Sequence, residues 1–302
     1  MGDKDKRSTI LVRYGEIGLK GRIVRTRFEE RLVSNMADVF IDAGIPCSFR
    51  RDRGHIYLYT GPEHEEALTA RLPKIFGITS FSMAEEFEGD KKAIVSYIGA
   101  RSKAILKDGD TFAIRSRRVG QHDFSSMDLA RDAGEAVLEA NDGRKIKVNL
   151  TAPDRELYIE VRNNRNYLYT EYIDGPGGMP VGTQGKAVAI ISDREGAVAA
   201  WLLLKRGCSV HCFMLDTSME PLVEALRVWH PGLKAVLCKD PGIKVEDDAA
   251  IGEAIRYLRR IKGKALISAR RDEPFKAKVP VFFPLFGMRP AEIEKLAKRI
   301  GL

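Results

Sequence analysis

Hydrophobic residues recur along the chain with two periods, one typical of helices and one typical of strands. Over residues 23–43, large apolar side chains occur at every fourth position, and this spacing predicts a helix with one buried face. These side chains are Phe28, Leu32, Met36 and Phe40. Apolar and polar residues alternate in Ser8–Tyr14, which predicts a strand.

The same criteria divide the chain into three sections. The first section adds a strand over 55–59 and a helix near 63–72, which predicts a small α+β unit. In the second section, from residue 76, predicted helices cover 93–107 and 127–140, and predicted strands cover 111–116, 146–150, 157–162 and 167–173. Glycine and proline dominate residues 175–182, which indicates a linker.

The third section, over 183–302, alternates strands with helices. The predicted strands lie near 187–191, 209–215, 233–238, 264–268 and 281–283, and the predicted helices near 196–206, 218–229, 247–261 and 290–300. Regular alternation is typical of a parallel, doubly wound α/β sheet. The predicted fold class is therefore mixed, with α+β domains over 1–75 and 76–174 followed by a linker and an α/β domain over 183–302.

Composition narrows the class of protein further. The chain lacks an apolar run of about 18 residues, and its first residues are charged, so we expect a cytoplasmic protein without a membrane partner. The four cysteines have no metal-site spacing, and we expect them to be buried thiols. The five histidines also lack ligand spacing, so no metal site is predicted.

Positive charge points to an acidic partner. The formal net charge is +8 and the pI about 9.2, and the cations cluster in separate loops, which favours RNA. The predicted RNA-binding residues are Arg13, Tyr14, Lys20, Arg22, Arg25, Arg27, Arg115, Arg117, Arg118, Arg162 and Arg165. Tyr14, Phe124, Tyr167 and Tyr169 are predicted to stack on bases. The three glycines of Arg13–Gly21 allow a ligand to approach the backbone closely.

The turn between the strand near 187–191 and the following helix is a candidate nucleotide loop. Such turns bind phosphate because free backbone N–H groups and the helix dipole point at the anion, and glycine lets the backbone come close. The turn reads Ser192, Asp193, Arg194, Glu195 and Gly196. It contains two acids and one late glycine, so it is either a working nucleotide loop or the remains of one.

Motifs from nearly the whole chain resemble those of one known family. The segment RYGEIGLKGRIVRTRFEERL is similar to its N-terminal ferredoxin-like domain. IFGITSFS, IRSRR, PDRELYIEVRNNRNYLY and IDGPGGMPVGTQGK resemble its THUMP domain and the following linker, and AVAAWLLLKRGCSVHCFML and PLFGMRPAEIEKLAKRIG resemble its PP-loop domain. The family is that of the tRNA 4-thiouridine synthetases, which are tRNA sulfurtransferases.

The resemblance carries expectations about fold and activity. It implies a ferredoxin-like domain over 1–75, a THUMP RNA-binding domain over 76–174, a linker over 175–182 and a Rossmann-like, PP-loop ATPase-type domain over 183–302. It also implies that the first two domains hold the acceptor end of a tRNA. The third domain of the family binds ATP and adenylates a uridine, and a persulfide sulfur then displaces AMP. Members of the family often form homodimers, so the resemblance makes a homodimer plausible for this chain.

The chain departs from the family's pattern at three chemical positions. The family loop is Ser-Gly-Gly-x-Asp-Ser, whereas Asp193 and Arg194 stand here at the two glycines. Ser268–Pro274 lacks the glycine and glutamine of a second nucleotide segment, and no cysteine follows the helix near 290–300, where active members carry the catalytic one. We therefore expect a tRNA-binding protein with no catalytic residue and no cofactor.

Two alternatives stay open. One is an active, ATP-dependent tRNA uridine thiolation enzyme, or a subunit of one, in which the atypical loop holds ATP with Mg²⁺ and a partner supplies sulfur. The other is a different enzyme, in which the charges of Ser192–Gly196 and Arg270–Glu273 form a new pocket at the C-terminal edge of the sheet. In that pocket Asp193, Glu195 and Asp272 would bind a metal or perform acid–base chemistry. In the tRNA-binding hypothesis, the partner besides tRNA would be another modification enzyme.

Overall fold

The computed structural model describes residues 7–52, 54–239, 248–271 and 277–302, and these form two compact units. As far as they are described, the first unit comprises Met1–Val12, Cys47–Glu65 and Phe81–Ile173, and the second comprises Arg13–Pro46, Glu66–Ser80 and Asp174–Leu302. Each unit contains most of one β-sheet.

Most of the predicted elements are confirmed. The strands are β1 Ser8–Tyr14, β2 Cys47–Asp52, β3 His55–Thr60, β4 Ile78–Glu88, β5 Thr111–Val119, β6 Lys147–Val148, β7 Arg155–Arg162, β8 Arg165–Tyr169, β9 Ile173–Asp174, β10 Lys186–Ile191, β11 Ser209–Met214, β12 Lys234–Leu237, β13 Ala265–Ile267 and β14 Val281–Phe282. The α-helices are α1 Arg22–Asp42, α2 Glu65–Arg71, α3 Lys91–Ile105, α4 Ser126–Ala140, α5 Arg194–Lys205, α6 Glu220–Arg227, α7 Asp248–Arg260 and α8 Pro290–Ile300. Among the described helices, none is both long and apolar enough to cross a bilayer.

The first unit is organised by a nine-stranded sheet in the order β2-β3-β1-β4-β8-β7-β5-β6, with β9 paired to β4. Helices α3 and α4 bury their apolar faces on it, where Ile98 and Val137 pack with Phe112 and Leu157 of the strands. Strands β2 and β4 were not predicted, because their arginines and glutamates obscure the apolar alternation that marks a strand.

The second unit contains a five-stranded sheet in the order β12-β11-β10-β13-β14, and all of its pairs are parallel. Apolar side chains of the central strand β10 enter the cores on both of its faces. Ala189 and Ile191 join the core of α5, α6 and α8, while Val188 and Ile190 join the core that contains α7. The predicted parallel, doubly wound sheet is therefore confirmed.

Burial of apolar side chains also positions helices α1 and α5 of the second unit. The four side chains that predicted α1 are all buried, which confirms the helix and its inner face. Trp201 of α5 is 1% exposed and contacts the rings of Phe76 and Trp229, with ring centroids 5.4 and 5.2 Å away. Burial of rings this large contributes strongly to the stability of a core.

One surface ion pair in the first unit gives a pH-dependent prediction. Glu85 of β4 accepts hydrogen bonds from Tyr97 (2.7 Å) and from Arg101 Nε (2.6 Å) of α3. Burial raises the pKa of Glu85, but these two donors outweigh it and hold the pKa below its ordinary value. Burial and the neighbouring carboxylate raise the pKa of Tyr97 to about 12, so the tyrosine remains a donor at neutral pH.

Replacing Glu85 by glutamine should lower the free energy of unfolding at pH 7 by about 0.5–1 kcal/mol, since the pair is partly solvated. A carboxyl group whose folded pKa is depressed stabilises the protein above its unfolded pKa and loses that effect as the pH falls through the folded pKa. The difference between wild type and variant should therefore begin to shrink as the pH falls below the ordinary glutamate pKa of about 4.3, and it should vanish only below the depressed folded pKa. Urea unfolding from pH 3 to 7 measures this, and an unchanged difference at pH 3 would contradict it.

Candidate nucleotide loop and RNA-binding residues

The turn from β10 to α5 is closed by its own aspartate. Asp193 is the N-cap of α5, and its Oδ1 accepts the Gly196 N–H at 2.8 Å. The hydroxyl of Ser192 donates to the other carboxylate oxygen at 3.2 Å. A carboxylate of the chain itself thus lies where a phosphate would accept N–H groups from the start of a helix.

The other charged residues of the turn bind partners that are distant in sequence. Arg194 donates to Glu294 Oε2 of α8 at 2.6 Å and to the carbonyl oxygen of Leu302. Glu195 forms an ion pair with Arg271 at 3.2 Å. Arg271 belongs to the charged segment that the sequence places beside this turn, whereas nothing in the local sequence indicates Glu294 or Leu302 as partners.

Gly196, the single glycine of the turn, has a packing role. A Cβ atom at this position would lie 2.8 Å from the carbonyl oxygen of Ile190, so any larger residue would push α5 away from β10. The glycine therefore lets the helix approach the strand closely. The residues at positions 193 and 194, where the resembling family carries glycines, have other structural roles, as a helix cap and an ion pair.

The second predicted nucleotide segment is described only in part. The hydroxyl of buried Ser268 accepts the Arg270 N–H at 3.3 Å. Asp272, Glu273 and Pro274 lie outside the described residues, and so does the hypothesis of a metal site with Asp272. Within the described part of the chain, no group of three or more His, Cys, Asp or Glu side chains is arranged to hold a metal ion.

The cysteines are thiols, as predicted. Cys208, Cys212 and Cys238 are buried and Cys47 is half-buried. Burial raises the pKa of Cys212 to about 12 and also raises those of Cys47 and Cys208. A thiol with a raised pKa is protonated at neutral pH, and only the thiolate is a good nucleophile. These positions therefore suit packing better than sulfur transfer.

Several of the predicted RNA-binding residues lie around the start of α1. Arg22 and Arg27 are exposed, and Arg25 lies 3.9 Å from Glu29, one helical turn away. The first turn of α1 contains no acidic residue, and its N-cap, Gly21, offers no side-chain hydrogen bond. Cations at a helix N-terminus oppose the helix dipole, so this end of α1 is strongly positive.

The glycine-rich segment before α1 forms a short 3₁₀ helix, Glu16–Leu19, which buried Ile17 anchors. Leu19 at its end is 88% exposed, and Lys20 is half-buried. Arg13 on β1 is also half-buried, so most of the predicted cations here reach solvent.

Tyr14 corrects the predicted set. It is only 8% exposed, and its hydroxyl donates to Glu29, so it presents no ring face to an RNA.

The predicted arginines of the first unit differ in how available they are. Arg117 at the end of β5 is exposed and the neighbouring Arg118 is half-buried, and neither forms an ion pair with another described residue. Arg115 donates to Glu156 at 2.7 Å, and Arg165 to Glu86. Arg117 and Arg118 are thus the most available cations of this group.

Arg162 is a second correction. Its side chain lies in the interior, 4% exposed, where Nε donates to Glu160 Oε1 at 2.5 Å and Nη2 contacts His55 Nδ1 at 2.6 Å. Asp52 lies 3.9 Å away. A guanidinium in such a network balances buried charge inside the protein and has no surface for phosphate.

The prediction of base-stacking tyrosines is wrong for Tyr167 and Tyr169 as well. They are 0% and 5% exposed, and their rings stack on those of Tyr57 and Tyr158, with centroids 4.9 and 5.1 Å apart. These rings form a packed layer on the face of the sheet opposite α3 and α4. Of the four predicted stacking residues, only Phe124 remains half-exposed.

The fold defines a class: a mixed α/β protein that combines a nine-stranded sheet with a separate Rossmann-type parallel sheet. Family models match it at three places. Residues 9–82 match the ThiI ferredoxin-like domain, 93–171 the THUMP domain and 182–230 the thiamine biosynthesis protein ThiI. The chain belongs to the ThiI family, whose relatives are named tRNA sulfurtransferases.

Curated relatives match nearly the whole chain. A "Probable tRNA sulfurtransferase" of Methanobrevibacter smithii is 32% identical over 343 aligned positions, which cover 97% of this chain and 86% of the relative. Its counterpart in Methanothermobacter thermautotrophicus is 33% identical over 346 positions, with 97% and 84% covered. Both alignments are longer than the 302 residues of this chain, so each relative has residues inside the matched region that this chain lacks.

Solved structures share the fold. PH1313 from Pyrococcus horikoshii superposes with a TM-score of 0.81 and 26% identity, over 98% of this chain and all of its own. A 4-thiouridine synthetase, solved with RNA and ATP, gives a TM-score of 0.77 at 24% identity, over 98% of this chain and 85% of its own. The ferredoxin-like, THUMP and Rossmann-like domains expected from the resemblance are therefore confirmed as the fold.

Proposed function

We propose that the chain binds tRNA at its acceptor end through exposed cations, and that it has lost the adenylation and sulfur-transfer chemistry of the tRNA sulfurtransferases. The THUMP match and the names of the relatives support the tRNA partner. In the molecule itself, Arg22 and Arg27 of α1 and Arg117 and Arg118 of β5 are the cations that support it. A cytoplasmic location and a homodimer remain predictions.

One observation carries the loss of ATP chemistry: the Asp193 carboxylate already caps α5. An ATP phosphate at this helix end would have to displace Asp193 and would face the carboxylate of Glu195 as well. Two like charges about 4 Å apart repel by ~4 kcal/mol at an effective dielectric near 20. Arg194, which could offset this repulsion, is bonded to Glu294. No cofactor is therefore proposed.

We expect that ATP does not bind at the Ser192–Gly196 turn. With ATP and Mg²⁺, we expect no added protection from hydrogen exchange in peptides spanning residues 191–197, because the Gly196 N–H already has its acceptor. We also expect no ATP–pyrophosphate exchange when tRNA is present. The 4-thiouridine synthetase that was solved with RNA and ATP is the positive control for protection by ATP. New protection confined to this peptide, or exchange above background, would refute the loss of chemistry.

The alternative, an active uridine thiolation enzyme with an external sulfur donor, is favoured by the ThiI match over 182–230, which includes the atypical loop. In that case Asp193 would rotate away and release the N-terminus of α5 for ATP with Mg²⁺. The same exchange experiment separates the two functions, since only the enzyme gains protection in the loop.

A further inference from the structure

A basic cavity of about 500 Å³ lies in the second unit, at the edge of the sheet where its strands begin. Lys186 and Lys234, the first residues of β10 and β12, line it together with Arg260 and Lys262 at the end of α7. The Ser192–Gly196 turn follows the last residue of β10, at the opposite edge. The cavity is therefore separate from the place where α/β folds usually hold nucleotides.

The charges that line this cavity are of one sign. Among the residues that the structure describes, no aspartate or glutamate lines it, and none of the four cations forms an ion pair with a carboxylate. Lys186 has a local acceptor, the carbonyl oxygen of Ile261 at 3.4 Å. Cations that converge in a concave site without counter-charges create a positive potential, and an anion relieves it.

The wall of the cavity includes one buried polar side chain, which an adjacent tyrosine contacts. His211 is 8% exposed, and its Nδ1 lies 2.9 Å from the Tyr257 hydroxyl, while Arg260 lies over the Tyr257 ring at 4.9 Å. Burial, with Lys234 and Lys186 nearby, lowers the pKa of His211. Both lysines line the cavity together with His211, so their charges lie near the same ring.

His230 lines the cavity as well, and burial lowers its pKa although Asp38 of α1 opposes the shift. With both pKa values lowered, the two rings are neutral at pH 7 and suited to hydrogen bonding. The lysines and the arginine then supply the positive charge of the site.

Lys262 occupies a backbone position at which lysine is unexpected. Its φ is 55°, in the left-handed region that ends helices and that glycine or asparagine usually occupies. The backbone conformation therefore gives no reason for a lysine, while the cavity provides a role for its ammonium group. Substituting asparagine here removes the charge and suits the backbone.

From this geometry we infer that the cavity formed by Lys186, Lys234, Arg260, Lys262, His211 and His230 is a phosphate-binding site. Its ligand carries several adjacent phosphate charges, either as a free polyphosphate chain or as consecutive phosphates of an RNA backbone. The site is independent of the Ser192–Gly196 turn and of any ATP chemistry.

The test compares two double variants that lose the same charge. Lys234→Gln with Lys262→Asn removes two cations from the cavity, and Lys295→Gln with Arg299→Gln removes two exposed cations from α8. By calorimetry at low salt, tripolyphosphate should bind the cavity variant at least about tenfold more weakly than wild type, and the α8 variant within about twofold. Thermal unfolding should show that Lys262→Asn alone leaves the melting temperature unchanged or higher.

A second arm identifies the source of the phosphates. If the site binds RNA, the cavity variant also loses at least about tenfold in tRNA affinity, with a smaller salt dependence than the α8 variant. If it binds a free polyphosphate, the tRNA affinities of the two variants agree. Perturbation of the His211 and His230 ring resonances by tripolyphosphate places that ligand in the cavity. Equal tripolyphosphate and equal tRNA affinities for the two variants would overturn the site.

Discussion

Charge reversal at Arg22 and Arg27 should weaken tRNA binding by about 30- to 100-fold, which corresponds to about 2–3 kcal/mol. Both side chains are exposed near the start of α1, so each is free to lie against a phosphate. Because each lost phosphate contact lowers the slope of log affinity against log salt by about 0.7–0.9, the slope should fall by about 1.5. Filter binding of tRNA at several salt concentrations measures both quantities.

The matched control reverses Lys295 and Arg299 of α8, two exposed cations of the same unit. Since a simple net-charge effect would act on both pairs alike, equal loss of affinity in the two variants would contradict an RNA surface at α1. Protein stability provides an independent check. Arg22→Glu places an acid in the first turn of α1, where the helix dipole favours negative charge, so the variant should not unfold more easily.

Replacing Arg162 by methionine should lower the free energy of unfolding of the first unit by about 3–5 kcal/mol. The change leaves the Glu160 carboxylate, which is 1% exposed, without its closest guanidinium in a buried environment. Where the variant is still folded, its tRNA affinity should equal that of wild type, since the side chain does not reach the surface. Urea unfolding and tRNA binding at low temperature measure the two effects.

A double variant separates charge burial from lost packing. Arg162→Met combined with Glu160→Leu removes both charges, and replacing a whole buried pair by apolar residues is often close to neutral. We expect this double variant to recover most of the lost stability. A double variant as unstable as Arg162→Met alone would mean that the guanidinium stabilises the unit through its other neighbours, His55 and Asp52.

The sequence predicted which kinds of site to look for, a nucleotide loop and an RNA-binding surface, but it identified only some of their residues. The sequence alone showed that the Ser192–Gly196 turn contains two acids and one late glycine, because the composition of a turn is a local feature. That Arg194 pairs with Glu294 of α8 was not visible, since the two residues lie far apart along the chain. Phosphate-binding residues show the same limit: Lys186 and Lys234 meet only because parallel strands begin at one edge.

The error at Arg162 and Tyr167 has a physical cause. An arginine or a tyrosine looks the same in the sequence whether its side chain faces RNA or lies inside the protein. Inside the protein, the arginine pairs with a carboxylate and the tyrosine stacks on another ring. Only the neighbouring strands decide between these outcomes. Here β7 pairs with β8, and Glu160 lies opposite Tyr167 in the register of the two strands. Glu160, Tyr167 and Arg162 all lie in the interior.

Chain-local patterns were enough for the helices, most strands and the parallel sheet of the second unit, because periodicity and turn residues act over a few positions. Pairing across the nine-stranded sheet, including the charged strands β2 and β4, depended on the tertiary fold. The fold also decided which cations remain exposed, which acid caps α5 and where the basic cavity forms. Exposure and electrostatic partners depend on residues that are distant in the chain, and these come together only when the whole structure has folded.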